Sequence, residues 1–200
     1  MLSALGLFSH YQGGNETALV YCRQALSMAE ELGDRLRQSR TLTRMGHALL
    51  GLAQSASGAD QRHEYLAQAA DAYQRALEMR RELDQASLAV EVLAGLARVS
   101  LAQGDSESAL ARVEEILAFL GAADTDTGHG LEGTTDPFRI YLTCYHVLLA
   151  ARDPRAGEIL ATAHNLLQQQ AAKIDDEDLR RSFLEGVAAH REIRAAFVDR

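Results

Sequence analysis

Apolar and small side chains recur along this chain at steps of four and then three, most plainly at Ala69, Tyr73, Ala76 and Leu77. A 3.6-residue period places these four on one helical face, where the alanines admit a neighbouring helix and the ring fills the space between. The same frame stands at Ala18, Cys22, Ala25 and Leu26, and at Ala109, Val113, Ile116 and Leu117. It returns in worn form at Gly157, Ala161 and His164. Alternating β-branched runs are absent, and Leu88, Val92, Leu93 and Leu96 keep helical spacing. The pattern predicts an all-α chain, an α-solenoid of about four antiparallel helix pairs with a C-terminal capping helix.

The polar punctuation divides the pattern into elements. A first helix carrying Leu2, Leu5, Gly6 and Ser9 ends at Gly13-Gly14-Asn15, and a second covers about 16–32 up to Gly33-Asp34. A helix over about 35–52 packs through Leu42, Met45, Gly46 and Leu49, and the small residues of 54–60 read as a loop. Helices follow over about 61–83, 86–102 and 106–120, with Gly104-Asp105 between the last two. A Gly-, Thr- and Asp-rich loop is expected over 122–135. Asp136-Pro137 and Asp153-Pro154 each set a capping carboxylate before a proline at the first helical position, opening helices over about 137–151 and 154–173. Four carboxylates, Asp175 to Asp178, then suit a helix N-terminus, and a short helix over 187–197 closes the chain.

These pairs behave as repeats of one domain spanning 1–200, at about 1–34, 35–84, 86–121 and 136–173, with a cap over 175–198. A 40-residue unit with insertions of 11 and 8 residues accounts for the steps from Ala18 to Ala69, Ala109 and Gly157, and the insertions fall in the two expected loops. Within a pair the small residues of the two helices lie 12 apart for Gly6 and Ala18, Ala97 and Ala109, and Tyr145 and Gly157; Gly46 and Ala69 are 23 apart, which is 12 plus the 11-residue insertion.

With Leu5-Gly6, Met45-Gly46 and Leu96-Ala97 in the first helices and Ala69, Tyr73 and Ala76 in a second, the chain resembles the tetratricopeptide repeat family. Its longer unit is similar to the extended repeats in the C-terminal sensor regions of bacterial regulators and signalling ATPases. The departures are Cys22, Val113 and Ala161 at the aromatic position and Tyr145 where a small residue is usual. The resemblance implies a right-handed superhelix whose first helices line a concave, partner-binding face. Repeats need polar-faced caps, which the last residues supply and nothing ahead of Leu2 does, so the chain reads as the end of something larger.

Composition narrows the function. A net charge of -8 argues against binding nucleic acid, which demands a surplus of Lys and Arg. Cys22 and Cys144 both stand on expected core faces, neither clustered for metal nor laddered for disulfides, which suits the reducing cytoplasm. Nothing reads as a signal core followed by a cleavage site, and no apolar run is expected to approach the length and composition of a membrane span.

On the face opposite the packing stripe, Arg40 with His47, Glu91 with Arg98, and Arg139 with His146 are each seven apart and occupy matching places in repeats two to four. With Arg44 nearby and Tyr11 in repeat one, they form a basic strip suited to an acidic peptide or a terminal carboxylate. The carboxylate-gripping members of the family use Lys and Asn in this groove, and neither type stands here. The seven histidines show no paired metal spacing; His164 reads as a satisfied core residue, and His63 and His129 as loop residues. No nucleophile beside a base, phosphate loop or convergent carboxylate pair is visible, so no enzyme, cofactor or catalytic residue is expected. The leading reading is a non-enzymatic protein-interaction scaffold or sensor module, regulatory in role, that binds a peptide or partner domain on its concave face. The alternatives are self-association through an exposed first repeat at Leu2, Leu5 and Leu7, and a small-molecule pocket where Tyr11 and Leu7 meet the arginines.

Overall fold

The computed structural model describes residues 1–11, 13–122, 131 and 133–198. Among these there are ten helices and no strand: α1 (Leu2–Tyr11), α2 (Asn15–Glu31), α3 (Arg35–Ser55), α4 (Ala59–Glu82), α5 (Ala86–Gln103), α6 (Ser106–Ala122), α7 (Pro137–Ala150), α8 (Arg155–Ala171), α9 (Glu177–Gly186) and α10 (Ala188–Val198). Residues 123–130 and 132 of the expected 122–135 loop, and His129 with them, lie outside the described residues.

The turns explain why helices stop and restart where they do. Gly33 and Gly104 take positive φ angles of 63° and 79°, a region that glycine enters without penalty, and the aspartate after each opens the next helix. Asp34 accepts from the Arg37 N–H at 2.9 Å, and Asp105 from the Ser108 N–H at 3.0 Å. Asp136 does the same for α7 through Arg139, and Asp176 for α9 through Leu179.

One expected loop is mostly helix. Over 54–60, α3 runs on to Ser55 and α4 begins at Ala59, leaving a three-residue turn. Ser55 donates its hydroxyl back to the Gly51 carbonyl at 2.9 Å, so a residue read as a breaker is accommodated within the last helical turn. The 11-residue insertion therefore lengthens a helix pair: α3 and α4 have 21 and 24 residues, against 18 and 17 for α5 and α6.

The chain forms two compact units, Met1–Gly133 and Thr134–Arg200. In the first, successive helices pack from α1 through α6, and α3 also touches both α1 and α5. Among the described residues α2, α4 and α6 make no such backbone approach to one another; long arms cross instead, Arg75 to Glu30 at 3.3 Å and Arg81 to Glu115. The core follows the expected frame, with Ala18, Cys22, Ala69, Tyr73, Ala76, Leu77, Ala109, Val113 and Ile116 all fully buried. Helix α5 averages a hydropathy of 1.3 over Ala86–Gln103, which corrects the expectation that no run reaches membrane-spanning composition; just over half of that stretch is buried in the packed unit.

In the second unit α7 packs on α8, and α10 rests on both, as well as on α9. Its core joins Phe138, Leu142, Leu160, Leu167 and Ile193. Here the expected frame is displaced by one residue. Gly157, Ala161 and His164 are only half-buried, whereas Ala156, Leu160, Ala163 and Leu167 are buried. Both sets have helical spacing, and the larger apolar side chains decide which stripe faces inward. Counting sixteen back from Leu160, the step that links Gly6 to Cys22 and Ala97 to Val113, leads to buried Cys144 and not to Tyr145.

Candidate functional site

The site is built around Tyr73, whose ring is fully buried between two helices that bare their backbones to it. A Cβ added at Gly46 of α3 or at Gly95 of α5 would stand 2.5 Å from the ring. This brings the hydroxyl within 2.7 Å of His47 Nδ1. The other imidazole nitrogen, Nε2, stands 3.7 Å from an oxygen of Glu91, itself buried on α5. The network fits the Tyr73 hydroxyl donating to Nδ1 and the Nε2–H facing Glu91. The His47 ring also lies over that of His10, centroids 6.1 Å apart, and His10 Nδ1 is 2.6 Å from Asn15 Oδ1. Burial above all pushes the Tyr73 hydroxyl well above the ordinary tyrosine range; Arg98 opposes that shift and Glu91 adds to it.

Basic groups surround this chain of contacts. Arg44 is half-buried and donates from Nη1 to Ser3 Oγ at 2.5 Å. Its guanidinium is pushed down from the usual range first by burial and next by Arg40, one turn away and exposed, while Glu91 and Tyr11 act in the opposite sense. Arg80 of α4 is almost wholly buried and donates to Gln85, with its Nε unpartnered among the described residues. Burial lowers its pKa and Glu91 raises it. The sequence reading passed over Arg80, although its place three residues after Leu77, on the packing stripe, marks a charge where an apolar residue would be expected.

Thus Tyr11, Arg40, Arg44, His47, Glu91 and Arg98 all belong to the first unit, and the electrostatic couplings at Arg44 and Tyr73 tie them into one neighbourhood. Arg139 and His146 belong to the second, where both face a single carboxylate: Arg139 Nη1 is 3.7 Å and His146 Nε2 3.2 Å from the Glu192 oxygens on α10. The one-residue displacement along α8 also gives the places of Arg40 and His47 to Phe138 and Tyr145 in this pair.

A cavity of about 420 Å³ opens in the first unit between α1, α2 and α3, lined by Leu2, Met28 and Leu32 on its apolar side and by Arg37, Arg40 and Arg44 on the other. It takes in Met1 to Ala4, whereas the sequence placed a pocket near Leu7 and Tyr11. Two histidines also differ from expectation. His63 is an exposed residue of α4, and His164 stacks flat on Phe197, centroids 3.9 Å apart, with its Nδ1 buried and unpartnered among the described residues. No protein-family model matches the chain, and no curated protein matches it either.

Proposed function

We propose that this chain is a non-enzymatic helical-repeat module of the tetratricopeptide type, and that it binds an acidic peptide or partner domain across the first helices of its N-terminal unit. The observation that carries the reading is the contact of α3 with both α1 and α5, while α2, α4 and α6 make no such contact with one another among the described residues. Such a layer turns inward in a superhelical array and offers a continuous surface of side chains to a ligand. It bears Arg40, Arg44 and Arg98 on a chain whose net charge is -8, so an acidic partner gains charge-assisted hydrogen bonds there. His47 and Glu91 face each other, and the arginines are the recognition groups. In the wider reading the chain is a cytoplasmic sensor region of a bacterial regulator.

The test is capture of partners from native extract on the full chain and on an Arg40→Glu, Arg98→Glu double variant of unchanged helicity. A partner lost from the variant supports the groove; a partner retained at equal affinity rejects it. Arg139 is left intact because a glutamate there would oppose Glu192 and disturb α10.

A second reading, self-association, is favoured by Leu5, Phe8 and Tyr11, which are 41%, 61% and 58% exposed along one side of α1. Light scattering across a hundredfold range of concentration decides it, a constant monomer mass being the refuting result.

A further inference from the structure

The cavity between α1, α2 and α3 shares Arg40 and Arg44 with the partner-binding reading and adds to them an apolar wall that the reading does not use. Its 420 Å³ lies in the range of small-ligand sites. Its lining holds three guanidiniums on a single helix and no carboxylate among the described residues. Arg37 is answered by Asp34, with Nε to Oδ2 at 3.3 Å. Arg40 and Arg44 stand one turn apart, and the charge on Arg44 is disfavoured first by its burial and next by the like charge of Arg40. Facing them, Leu2, Met28 and Leu32 make an apolar wall, with Met28 and Leu32 more than half exposed. An anion placed between the two guanidiniums would relieve their repulsion, and an apolar chain would take water off the opposite wall.

We propose that this cavity binds an aliphatic monocarboxylate, its head group held by Arg40 and Arg44 and its chain laid on Leu2, Met28 and Leu32. A planar carboxylate matches the guanidinium fork, and one tail matches one apolar wall. The site shares Arg40 and Arg44 with the concave-face reading but needs no protein partner, and the wall of Leu2, Met28 and Leu32, which only the small ligand uses, tells the two apart.

The test is calorimetric titration of the purified full chain with sodium dodecanoate below its micelle concentration, beside dodecanol and sodium acetate. Dodecanoate is expected to bind at one site, with dodecanol weaker by tenfold or more, since one lost charge-assisted contact is worth about that factor, and acetate weaker by at least as much, since it has no chain to cover the apolar wall. Arg40→Gln, an exposed position, should weaken dodecanoate about tenfold, and Met28→Glu, which sets a carboxylate on the apolar wall, should abolish binding. Arg62→Gln makes the same charge change on an exposed part of α4 and should leave binding unaltered. Equal affinity for dodecanol, no binding of dodecanoate, or equal binding by the Met28→Glu protein would each overturn the proposal.

Discussion

Replacing Gly46 by alanine tests the central packing of the first unit. The added methyl would lie 2.5 Å from Cε1 and Cζ of Tyr73 and 2.7 Å from Cε2. Carbon atoms settle at about 3.5–4 Å, so the ring must retreat by roughly an ångström. It has nowhere to go, because Gly95 stands equally close on α5 and the side chain has no exposed surface. Overpacking of this kind costs about 1–3 kcal/mol, and displacing the hydroxyl from His47 costs about 1 kcal/mol more. Against this, alanine improves on glycine inside a helix by about 1 kcal/mol, so the net loss is about 2 kcal/mol. In urea unfolding followed by circular dichroism, with a slope of about 2 kcal/mol per molar, the midpoint should fall by about 1 M. The same substitution in a Tyr73→Val background reproduces the alanine and valine found at Ala97 and Val113 and should stabilise that background by up to about 1 kcal/mol. If Gly46→Ala has the same effect in both backgrounds, the ring is not what the glycine accommodates.

Tyr73→Phe removes the hydroxyl that meets His47 at 2.7 Å and should cost about 1 kcal/mol. Because burial raises the hydroxyl's pKa in the folded chain, unfolding releases its proton above about pH 10, and stability should fall as pH rises past that point. The phenylalanine variant should lose stability less steeply there, and parallel pH profiles would exclude Tyr73 as a source. Burial pushes the Cys22 thiol up to about 11 and that of Cys144 up to about 12, so neither should react with an aromatic disulfide reagent at pH 8 until urea is added. Rapid labelling of the native chain would show that a thiol is open to solvent. Asp176→Ala deletes the cap bond to the Leu179 N–H at 2.8 Å and should cost about 1 kcal/mol in thermal or urea unfolding; an unchanged midpoint would refute a stabilising role for the cap.

The helices were legible because their determinants are local. Ala69, Tyr73, Ala76 and Leu77 announce a face, and Gly33-Asp34 announces a stop and a start, within a few residues of chain. Failures arose where two local signals competed. Small residues over 54–60 permit a loop or a helix, and the extension of α3 and α4 depends on the tertiary packing of the pair. On α8, Gly157, Ala161 and His164 match the motif in size, but Leu160 and Leu167 have more apolar surface to bury. Spacing could place Arg40 and His47 on one face, but the step of 44 residues from His47 to Glu91, or of 53 from Arg139 to Glu192, holds no sign that these side chains meet. The cavity was equally hidden, since it needs the start of α1 brought against α2 and α3.

The unequal helix lengths give the first unit a promontory. Asn15, at the start of α2, lies against Gly51, so the last turn of α3 and the beginning of α4 extend past the bend between α1 and α2. At its tip Ser57 and Gly58 are exposed, and a side chain built on Gly58 would meet nothing. A fluorophore attached there, or a short foreign sequence inserted there, would leave Tyr73 and the arginine-walled cavity undisturbed. The same spur is the first part of this surface that a bulky visitor from that side would strike, so a label on it would register an approaching macromolecule while staying silent to a small one.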